Sequence, residues 1–230
     1  MPNKLIGRGR AADVFEHGPS RVLRRYRTDF HAEREAGVME FVREAGYPVP
    51  RVYEAHGRDL VMERVDGPTM LADLARRPWM LWSHASTLAR LHRRLQVIDA
   101  PASLVELREA PGSKVVHGDL HIENVILTAK GPVVIDWSSV HRGDANADVV
   151  MTWVILAAAQ PPGSAWTRAI AGAGRSVFVN QFMSGFDKKH LSQLVTPIGR
   201  LKLRDPNMSS AERLAIEAFI EHRGPNVPRR

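Results

Sequence analysis

A short polar loop between two apolar runs, at residues 115–127, constrains this chain more than any other feature of its sequence. The apolar ends have the composition of short β-strands, and the polar middle predicts a tight loop between them. The loop carries a carboxylate at Asp119 and a carboxamide five residues later, at Asn124. A further apolar run, at residues 133–135, ends in Asp136. Three polar side chains therefore lie in loops at strand ends, where binding and catalytic residues are concentrated.

The spacing of these residues suits phosphoryl transfer. In kinases one Asp orients the attacking hydroxyl and accepts its proton, while an Asn and a second Asp hold Mg²⁺ against the phosphates. The protein-kinase pattern H-R-D-L-x-x-x-N, followed by D-F-G, has the same separation of Asp and Asn. This chain has H-G-D-L-H-I-E-N, followed by D-W-S. The alternative, an ordinary hairpin with polar loop residues and a helix cap at Asp136, leaves this spacing unexplained.

In this form the motif resembles that of the aminoglycoside phosphotransferase family, small-molecule kinases that share the protein-kinase fold. The resemblance extends over residues 5–160. It implies an α+β, bilobal, protein-kinase-like fold, with a small antiparallel sheet in an N-terminal nucleotide-binding lobe at residues 1–65. A mainly helical C-terminal lobe, at residues 66–230, is expected to carry the catalytic loop and the acceptor side. Family members usually have Pro-Gly where this chain has Ile122-Glu123, which alters the stiffness of the loop.

The resemblance also implies phosphate-binding positions near the N-terminus. Gly7 and Gly9 lie in a short turn whose backbone amides can approach phosphate, and they are expected to cover it. The third glycine of the protein-kinase loop is absent. On the next strand the family has a Lys that contacts the phosphates. Arg24 occupies that place, or Arg25 if the register shifts by one, and Arg is not a neutral replacement for Lys.

Two further nucleotide-binding features are expected from the resemblance. Glu35 matches the helix Glu that pairs with the strand cation, and Glu33 is the alternative. Glu63 and Val65 correspond to the link between the lobes, where backbone groups hydrogen-bond the adenine edge.

Apolar periodicity predicts that the rest of the chain is largely helical. Helices are expected at 29–45 with Thr28 or Asp29 as the cap, at two places between 69 and 98, and at 144–159, 164–182, 188–203 and 209–223. His92, on or beside an apolar helix face, is predicted to be a core histidine. The resemblance implies that Asp148 braces the catalytic region. His117 is expected to shape the loop through hydrogen bonds, and His121 to brace the loop or contact substrate.

The implied reaction is transfer of the γ-phosphoryl group of ATP, or of GTP, to a hydroxyl of a small molecule, either an antibiotic or a metabolite. Asp119 is expected to orient and deprotonate that hydroxyl. Asn124 and Asp136 are expected to hold Mg²⁺, and Arg24 paired with Glu35 to steady the phosphates. A nucleotide-binding pseudokinase that acts as an interaction protein stays open, because the strand cation is Arg and the glycine loop is reduced.

Composition bounds the remaining function classes. The chain has no cysteine, which fits a reducing cytoplasm, and it has no apolar run long enough to span a membrane. A net charge of +7 is typical of proteins that bind nucleic acid. However, no aromatic-interleaved basic run or zinc pattern accompanies the charge, so a nucleic-acid partner is not expected.

The positive charge is concentrated near the C-terminus. Residues 161–230 contain 11 Lys and Arg against 5 Asp and Glu, and so hold +6 of the net charge. Because the helices after the catalytic loop build the acceptor side in this family, a polycationic acceptor is not expected. The cations in question are Arg168, Arg175, Lys188, Lys189, Arg200, Lys202 and Arg204.

Overall fold

The computed structural model describes residues 4–9, 11–28, 31–159, 165–206 and 208–224, without the side chains of 165–171. These residues form nine strands and seven helices. The strands are β1 (Leu5–Arg8), β2 (Ala12–Glu16), β3 (Arg21–Tyr26), β4 (Val52–His56), β5 (Asp59–Glu63), β6 (Lys114–Val116), β7 (Val125–Thr128), β8 (Gly131–Val134) and β9 (His141–Gly143). The helices are α1 (Ala32–Glu44), α2 (Met70–Arg76), α3 (Leu81–Gln96), α4 (Ala147–Ala158), α5 (Ala165–Met183), α6 (Lys188–Lys202) and α7 (Ser210–Arg223).

The chain divides into two compact units, each made of two segments. The first unit combines Met1–Met70 with Glu123–Val140, and the second combines Leu71–Ile122 with His141–Arg230. The first unit therefore contains the sheet together with the β7–β8 hairpin, and the second contains most of the helices. The expected division into functional lobes at residue 65 stays a prediction.

A five-stranded antiparallel sheet, in the order β1-β2-β3-β5-β4, forms the centre of the first unit. β3 lies in the middle of it, and Val22, Leu23, Arg24 and Tyr26 are its buried residues. Helix α1 contributes an apolar face to the same unit, in which Val38, Met39 and Val42 are buried. An amphipathic helix on a twisted sheet is the usual way to bury both apolar faces.

The limits of α1 differ slightly from those expected. The helix begins at Ala32, after His31 as its first flanking residue, so Thr28 does not have the expected cap position. Asp29, the other candidate, lies outside the described residues. The chain leaves the helix through Gly46, whose φ of 79° is the left-handed conformation that glycine adopts most readily at a helix end.

The β7–β8 hairpin belongs to the first unit and is tied to the segment that follows β5. The backbone N–H of Leu127 donates to the carbonyl of Pro68 at 2.9 Å. Next to it, a Cβ on Gly67 would lie 2.2 Å from the carbonyl oxygen of Leu127, so only glycine allows this approach.

In the second unit, β6 pairs with β9 and not with β7. Lys114 lies opposite Gly143 in that antiparallel pair, whereas β7 pairs with β8. The polar loop between β6 and β7 therefore does not close a hairpin, and that part of the alternative is wrong. Asp136 does precede a short 3-10 helix, Trp137–Ser139, but its side chain makes no capping hydrogen bond. Helix α3 packs against β6 and α5, and α4 packs against α5, α6 and α7.

The predicted fold class is confirmed. The structure is α+β, with a small antiparallel sheet in one unit and a mainly helical second unit. Across the described ranges, no helix is long and apolar enough to cross a membrane.

Candidate active site

The carboxylate of Glu35 is buried inside the first unit, with 1% of the residue exposed. Its Oε1 accepts hydrogen bonds from Nη1 of Arg24 at 3.3 Å and from the backbone N–H of Trp137 at 3.0 Å. Its Oε2 accepts from the hydroxyl of Tyr26. Burial raises the pKa of Glu35, and these three donors oppose the rise. One carboxylate thus links β3, α1 and the D-W-S turn.

Arg24, and not Arg25, is the buried cation of β3. The side chain of Arg24 is 9% exposed and that of Arg25 is 51% exposed. Arg24 Nη2 also lies 2.5 Å from Oδ1 of Asp136, so its planar guanidinium reaches two carboxylates. Arg25 pairs with Asp59 at the surface. The alternative helix residue, Glu33, is exposed and accepts a hydrogen bond from a loop amide.

Asp136 has an unusual backbone conformation. Its φ of 66° and ψ of 68° are left-handed, and it is the only non-glycine residue with positive φ among those the structure describes. Such conformations cost on the order of 1–3 kcal/mol and are concentrated at functional sites. The hydroxyl of Ser138 donates to Oδ1 of Asp136 at 2.8 Å. The carboxylate is therefore aimed by the backbone and held by a neighbouring side chain.

Asn124 and Asp136 lie at the same end of the β7–β8 hairpin. The carbonyl of Asn124 accepts a hydrogen bond from the N–H of Ile135 at 3.0 Å, immediately before Asp136. A carboxamide and a carboxylate are the hard oxygen donors that Mg²⁺ prefers, and Mg²⁺ usually takes one or two protein carboxylates together with water and substrate phosphates. In the described part of the chain, no group of three or more His, Cys, Asp or Glu could hold a metal by itself. The pair fits an ion that a nucleotide would help to bind.

The other nucleotide-binding candidates also lie in the first unit. Gly7 is in β1, and the N–H of Gly9 closes the following turn on the carbonyl of Ala12 at 2.8 Å. Glu63 ends β5, and Val65 follows it in the exit segment. The contacts of these residues with nucleotide stay predictions.

The carboxylate of Asp119 belongs to the second unit and has a histidine and a lysine as neighbours. Nε2 of His121 lies 3.4 Å from Oδ2, and Nζ of Lys202 lies 3.5 Å from Oδ1. Burial acts to raise the pKa of Asp119, but His121, then Lys202 and His117, outweigh it and lower the pKa to about 2. Asp119 is therefore ionised at neutral pH, as a residue that orients a hydroxyl must be.

Asp148, at the start of α4, holds the backbone on which Asp119 lies. Its Oδ2 accepts from the N–H of His117 at 2.6 Å and its Oδ1 from the N–H of Gly118 at 2.7 Å. Gly118 has a φ of 82°, which favours glycine between the two polar residues. The N–H of Asp119 in turn donates to Nδ1 of His117 at 3.3 Å. We expected Asp148 to brace this region and His117 to shape the loop, and both residues make hydrogen bonds of that kind.

Helix α4 makes a second polar contact, through Thr152, that was not predicted from the sequence. The hydroxyl of Thr152 donates to the carbonyl of Leu120, next to Asp119. His92 packs behind it, with Nε2 2.9 Å from Oγ1 of Thr152 and Nδ1 2.9 Å from a carbonyl of its own helix. His92 is thus a buried core histidine, as predicted. The only sequence signal for Thr152 is a polar residue on the buried side of an apolar helix.

The α+β fold, the buried cation–carboxylate pair and the H-G-D-L-H-I-E-N loop together define a protein-kinase-like protein. The family model of the RIO domain, an atypical kinase domain, matches residues 8–151, which is more than half of the chain. The chain belongs to the RIO domain family. The resemblance to aminoglycoside phosphotransferases therefore holds at the level of the kinase-like superfamily, and the sequence family is a different one. No curated protein matches the sequence.

Solved structures of small-molecule kinases share the fold. A thermostable mutant of aminoglycoside phosphotransferase APH(4)-Ia, in ternary complex with AMP-PNP and hygromycin B, aligns with a TM-score of 0.66 and 15% identity over 98% of this chain and 95% of its own. A choline/ethanolamine kinase family protein from Mesorhizobium loti aligns with 0.60 and 16% over 96% and 88%. Amicoumacin kinase hAmiN, in complex with AMP-PNP, Ca²⁺ and Ami, aligns with 0.58 and 13% over 99% and 91%.

Replacing Glu35 by Ala is expected to destabilise the protein by about 3–5 kcal/mol, because it leaves a buried guanidinium with one partner fewer. It also deprives the hydroxyl of Tyr26 and the N–H of Trp137 of their acceptor. Urea unfolding measures the change. Glu40→Ala, an exposed position on the same helix, is the matched control and should stay within about 0.5 kcal/mol. Equal effects of the two substitutions would contradict the described network.

The stability of the protein is expected to fall as the pH drops through the range in which histidine titrates. Burial lowers the pKa of His92 from 6.5 to about 4. Below pH 6.5 the unfolded chain therefore binds a proton at this residue that the folded chain does not bind, so acid favours unfolding. The loss reaches about 3 kcal/mol near pH 4.

Unfolding of the wild type, His92→Gln and His222→Gln between pH 7 and pH 4 tests this. His92→Gln should show the shallower pH dependence, and the exposed His222 should leave it unchanged. Parallel curves for all three proteins would show that His92 is not the residue responsible.

Proposed function

We propose that the protein is a Mg²⁺-dependent phosphotransferase that moves the γ-phosphoryl group of ATP, or of GTP, to a hydroxyl of a small molecule, in the manner of the aminoglycoside phosphotransferase family. The acceptor is an antibiotic or a metabolite. The observation that carries the proposal is the contact of Arg24 with both the buried Glu35 and the partly exposed Asp136. It joins a phosphate-binding cation to a metal-binding carboxylate. The proposed location is the cytoplasm, where both nucleotides are available.

In this proposal the residues of the first unit bind the nucleotide. Arg24, held in place by Glu35, contacts the phosphates, and Asn124 and Asp136 supply protein oxygens for Mg²⁺. Bound Mg²⁺ neutralises charge on the β- and γ-phosphate oxygens. The turn that contains Gly7 and Gly9 covers the phosphates. The exit segment after β5, with Glu63 and Val65, contacts the adenine edge through its backbone.

Asp119 performs the chemical step. It accepts a hydrogen bond from the acceptor hydroxyl, whose oxygen attacks the γ-phosphorus. The bond between that phosphorus and the bridging oxygen breaks, its electron pair leaves with the nucleoside diphosphate, and the hydroxyl proton passes to Asp119. Because its pKa is about 2, Asp119 is a weak base. Its main contribution is orientation, which suits a loose transition state in which the hydroxyl proton is not yet strongly acidic.

The solved neighbours support a small acceptor. Their names include a choline/ethanolamine kinase family protein and an amicoumacin kinase, and two of the complexes contain AMP-PNP. Only the fold is shared at these identities, so the acceptor class is drawn from the residues of this chain.

We further propose that the acceptor is neutral or anionic and not polycationic. Of the cations after residue 161, Lys202 lies beside Asp119. Lys188, Lys189 and Arg200 are exposed. Arg204 is also exposed and pairs with Glu109. Arg175 donates from Nη1 to the carbonyl of Ala159 at 2.6 Å, and the side chain of Arg168 lies outside the described residues. The argument therefore rests on Lys202, whose charge a protonated amine would meet next to the reacting hydroxyl.

A second candidate is a nucleotide-binding pseudokinase. Arg24 at the place of the strand lysine and the reduced glycine loop favour it. Turnover separates the two candidates, since a pseudokinase binds nucleotide and does not consume it.

The decisive experiment is a screen of the purified protein with Mg·ATP and Mg·GTP against hydroxylated antibiotics and metabolites, with release of nucleoside diphosphate as the readout. Acceptor-dependent consumption supports the proposal and names the acceptor. Efficient phosphorylation of kanamycin- or streptomycin-like compounds would contradict the charge argument. Nucleotide binding with no consumption for any acceptor would favour the pseudokinase.

Asp119→Ala is expected to lower turnover by at least about 10²–10⁴-fold, because both proton acceptance and orientation of the hydroxyl are lost. Nucleotide affinity should stay within about threefold, because Asp119 is not proposed to bind the nucleotide. Initial rates and calorimetry measure the two quantities. Asp99→Ala, at an exposed carboxylate of the same unit, is the control and should keep full activity. A rate close to that of the control would refute the role of Asp119.

Asp136→Asn is expected to weaken Mg²⁺-dependent ATP binding by about tenfold or more, because a hard cation loses an anionic ligand. Binding measured in EDTA should change much less. Calorimetry of ATP binding with and without Mg²⁺ compares the variant with Asp59→Asn, which removes a surface partner of Arg25. The same metal dependence in both variants would argue against a metal at Asp136.

A further inference from the structure

Lys202 is the last residue of α6, and its ammonium group lies between two carboxylates. Nζ is 3.3 Å from Oδ2 of Asp205 and 3.5 Å from Oδ1 of Asp119. The side chain of Lys202 is 21% exposed. Asp205 follows within one helical turn and belongs to the loop after α6, whereas Asp119 belongs to the catalytic loop. The lysine thus connects the proposed base to an element far away in sequence.

The end of α6 is held firmly by neighbouring helices. Arg213, on α7, donates from Nη1 to the carbonyl of Leu203 at 2.6 Å, immediately after Lys202. On α6 itself, Leu191, Val195 and Ile198 are buried, and the helix packs against α4. α4 is also the helix that supplies Asp148 and Thr152 to the backbone of the catalytic loop.

One helix, α4, therefore supports both sides of the contact between Lys202 and Asp119. Since the backbone of each residue is held by buried contacts, the pairing is built into the fold of the second unit. A surface ion pair between flexible side chains would have no such support, and it would contribute little.

We propose that Lys202 is a further catalytic residue, which binds the phosphoryl group while that group is transferred to the acceptor oxygen. This inference rests on the proposed phosphotransferase function. The acceptor oxygen must lie about 2.6–3.2 Å from Asp119. An ammonium group 3.5 Å from the same carboxylate is then within reach of the oxygens on the phosphorus that this oxygen attacks. Lysine binds phosphate as a point charge, without the geometric demands of arginine.

The charges around the ammonium group of Lys202 change during the reaction in a way that favours binding of the phosphoryl group. In the ground state, Lys202 is attracted by the ionised Asp119. When the hydroxyl proton passes to Asp119, that carboxylate becomes neutral, the acceptor oxygen bonds to the phosphorus, and the bridging oxygen leaves with its electron pair. Before that proton transfer is complete, in the loose transition state, negative charge is spread over the phosphoryl oxygens. Lys202 then binds those oxygens beside Asp119, while Asp205 still holds the lysine in place. Stabilisation that is strongest in the transition state raises the rate and not only the affinity.

The test compares Lys202→Met with Lys202→Arg and with Lys188→Met, an exposed lysine at the other end of the same helix. Binding of Mg·ADP is measured by calorimetry with and without aluminium fluoride, which mimics the phosphoryl group in the transition state of its transfer. No acceptor is added, so the measurement does not depend on knowing the substrate. Rates of Mg·ATP consumption, with water or with any acceptor found in the screen, give a second readout.

Lys202→Met should reduce the fluoride-dependent gain in ADP affinity at least tenfold and lower kcat by about 10²–10³-fold, the usual effect of one transition-state electrostatic contact. Affinity for ADP alone should stay within about threefold. Lys202→Arg keeps the charge and should retain most of the gain, and Lys188→Met should match the wild type. Lys202→Gln provides a second neutral variant in case the methionine variant does not fold.

Other outcomes separate the possible failures. A fluoride-dependent gain that is the same in wild type and Lys202→Met overturns the role of Lys202. A higher KM for the acceptor with unchanged kcat shows that Lys202 binds the acceptor, which also overturns it. Nucleotide binding without any fluoride-dependent gain in the wild type contradicts a transition-state contact. A wild type that binds no nucleotide refutes the proposed function itself.

Discussion

The buried carboxylate of Glu35 is the interaction on which the first unit depends. It accepts from the guanidinium of Arg24, the hydroxyl of Tyr26 and the backbone N–H of Trp137. Because a buried carboxylate is costly unless its oxygens are hydrogen-bonded, these partners cannot be displaced separately without loss of stability. The same contacts determine where Arg24 points, and Arg24 in turn contacts Asp136. Stability and the proposed chemistry thus share one carboxylate.

The second unit uses the same principle on a helix. Asp148 and Thr152 are buried polar residues on an otherwise apolar α4, and both accept or donate a hydrogen bond to the catalytic-loop backbone. Backbone groups next to Asp119 would otherwise be buried without partners, so the loop has one strongly preferred conformation. His92 supports Thr152 from behind. The backbone that carries Asp119, the proposed base, is therefore placed by residues to which no chemical role is assigned.

Family membership and acceptor class are separate questions for this protein. The chain belongs to the RIO domain family, while solved small-molecule kinases share its fold at 13–16% identity. A fold of this kind supports many acceptors, and the function depends on particular side chains. Arg24 in place of lysine and Lys202 beside Asp119 are the residues that distinguish this site. In the proposed function both residues act through their positive charge, and Arg24 also contributes to stability through its buried pair with Glu35.

The sequence by itself determined the residues whose spacing is local. Asp119 and Asn124 lie five positions apart in one loop, and Asp136 follows the next apolar run, so their pattern is visible without a structure. The choice between Arg24 and Arg25 needed the sheet, because a shift of one residue moves a side chain to the opposite face. The contact of Lys202 with Asp119 could not be predicted, because only the packing of α6 against α4 brings the two side chains together. Contacts between distant segments depend on packing geometry, which no local pattern records.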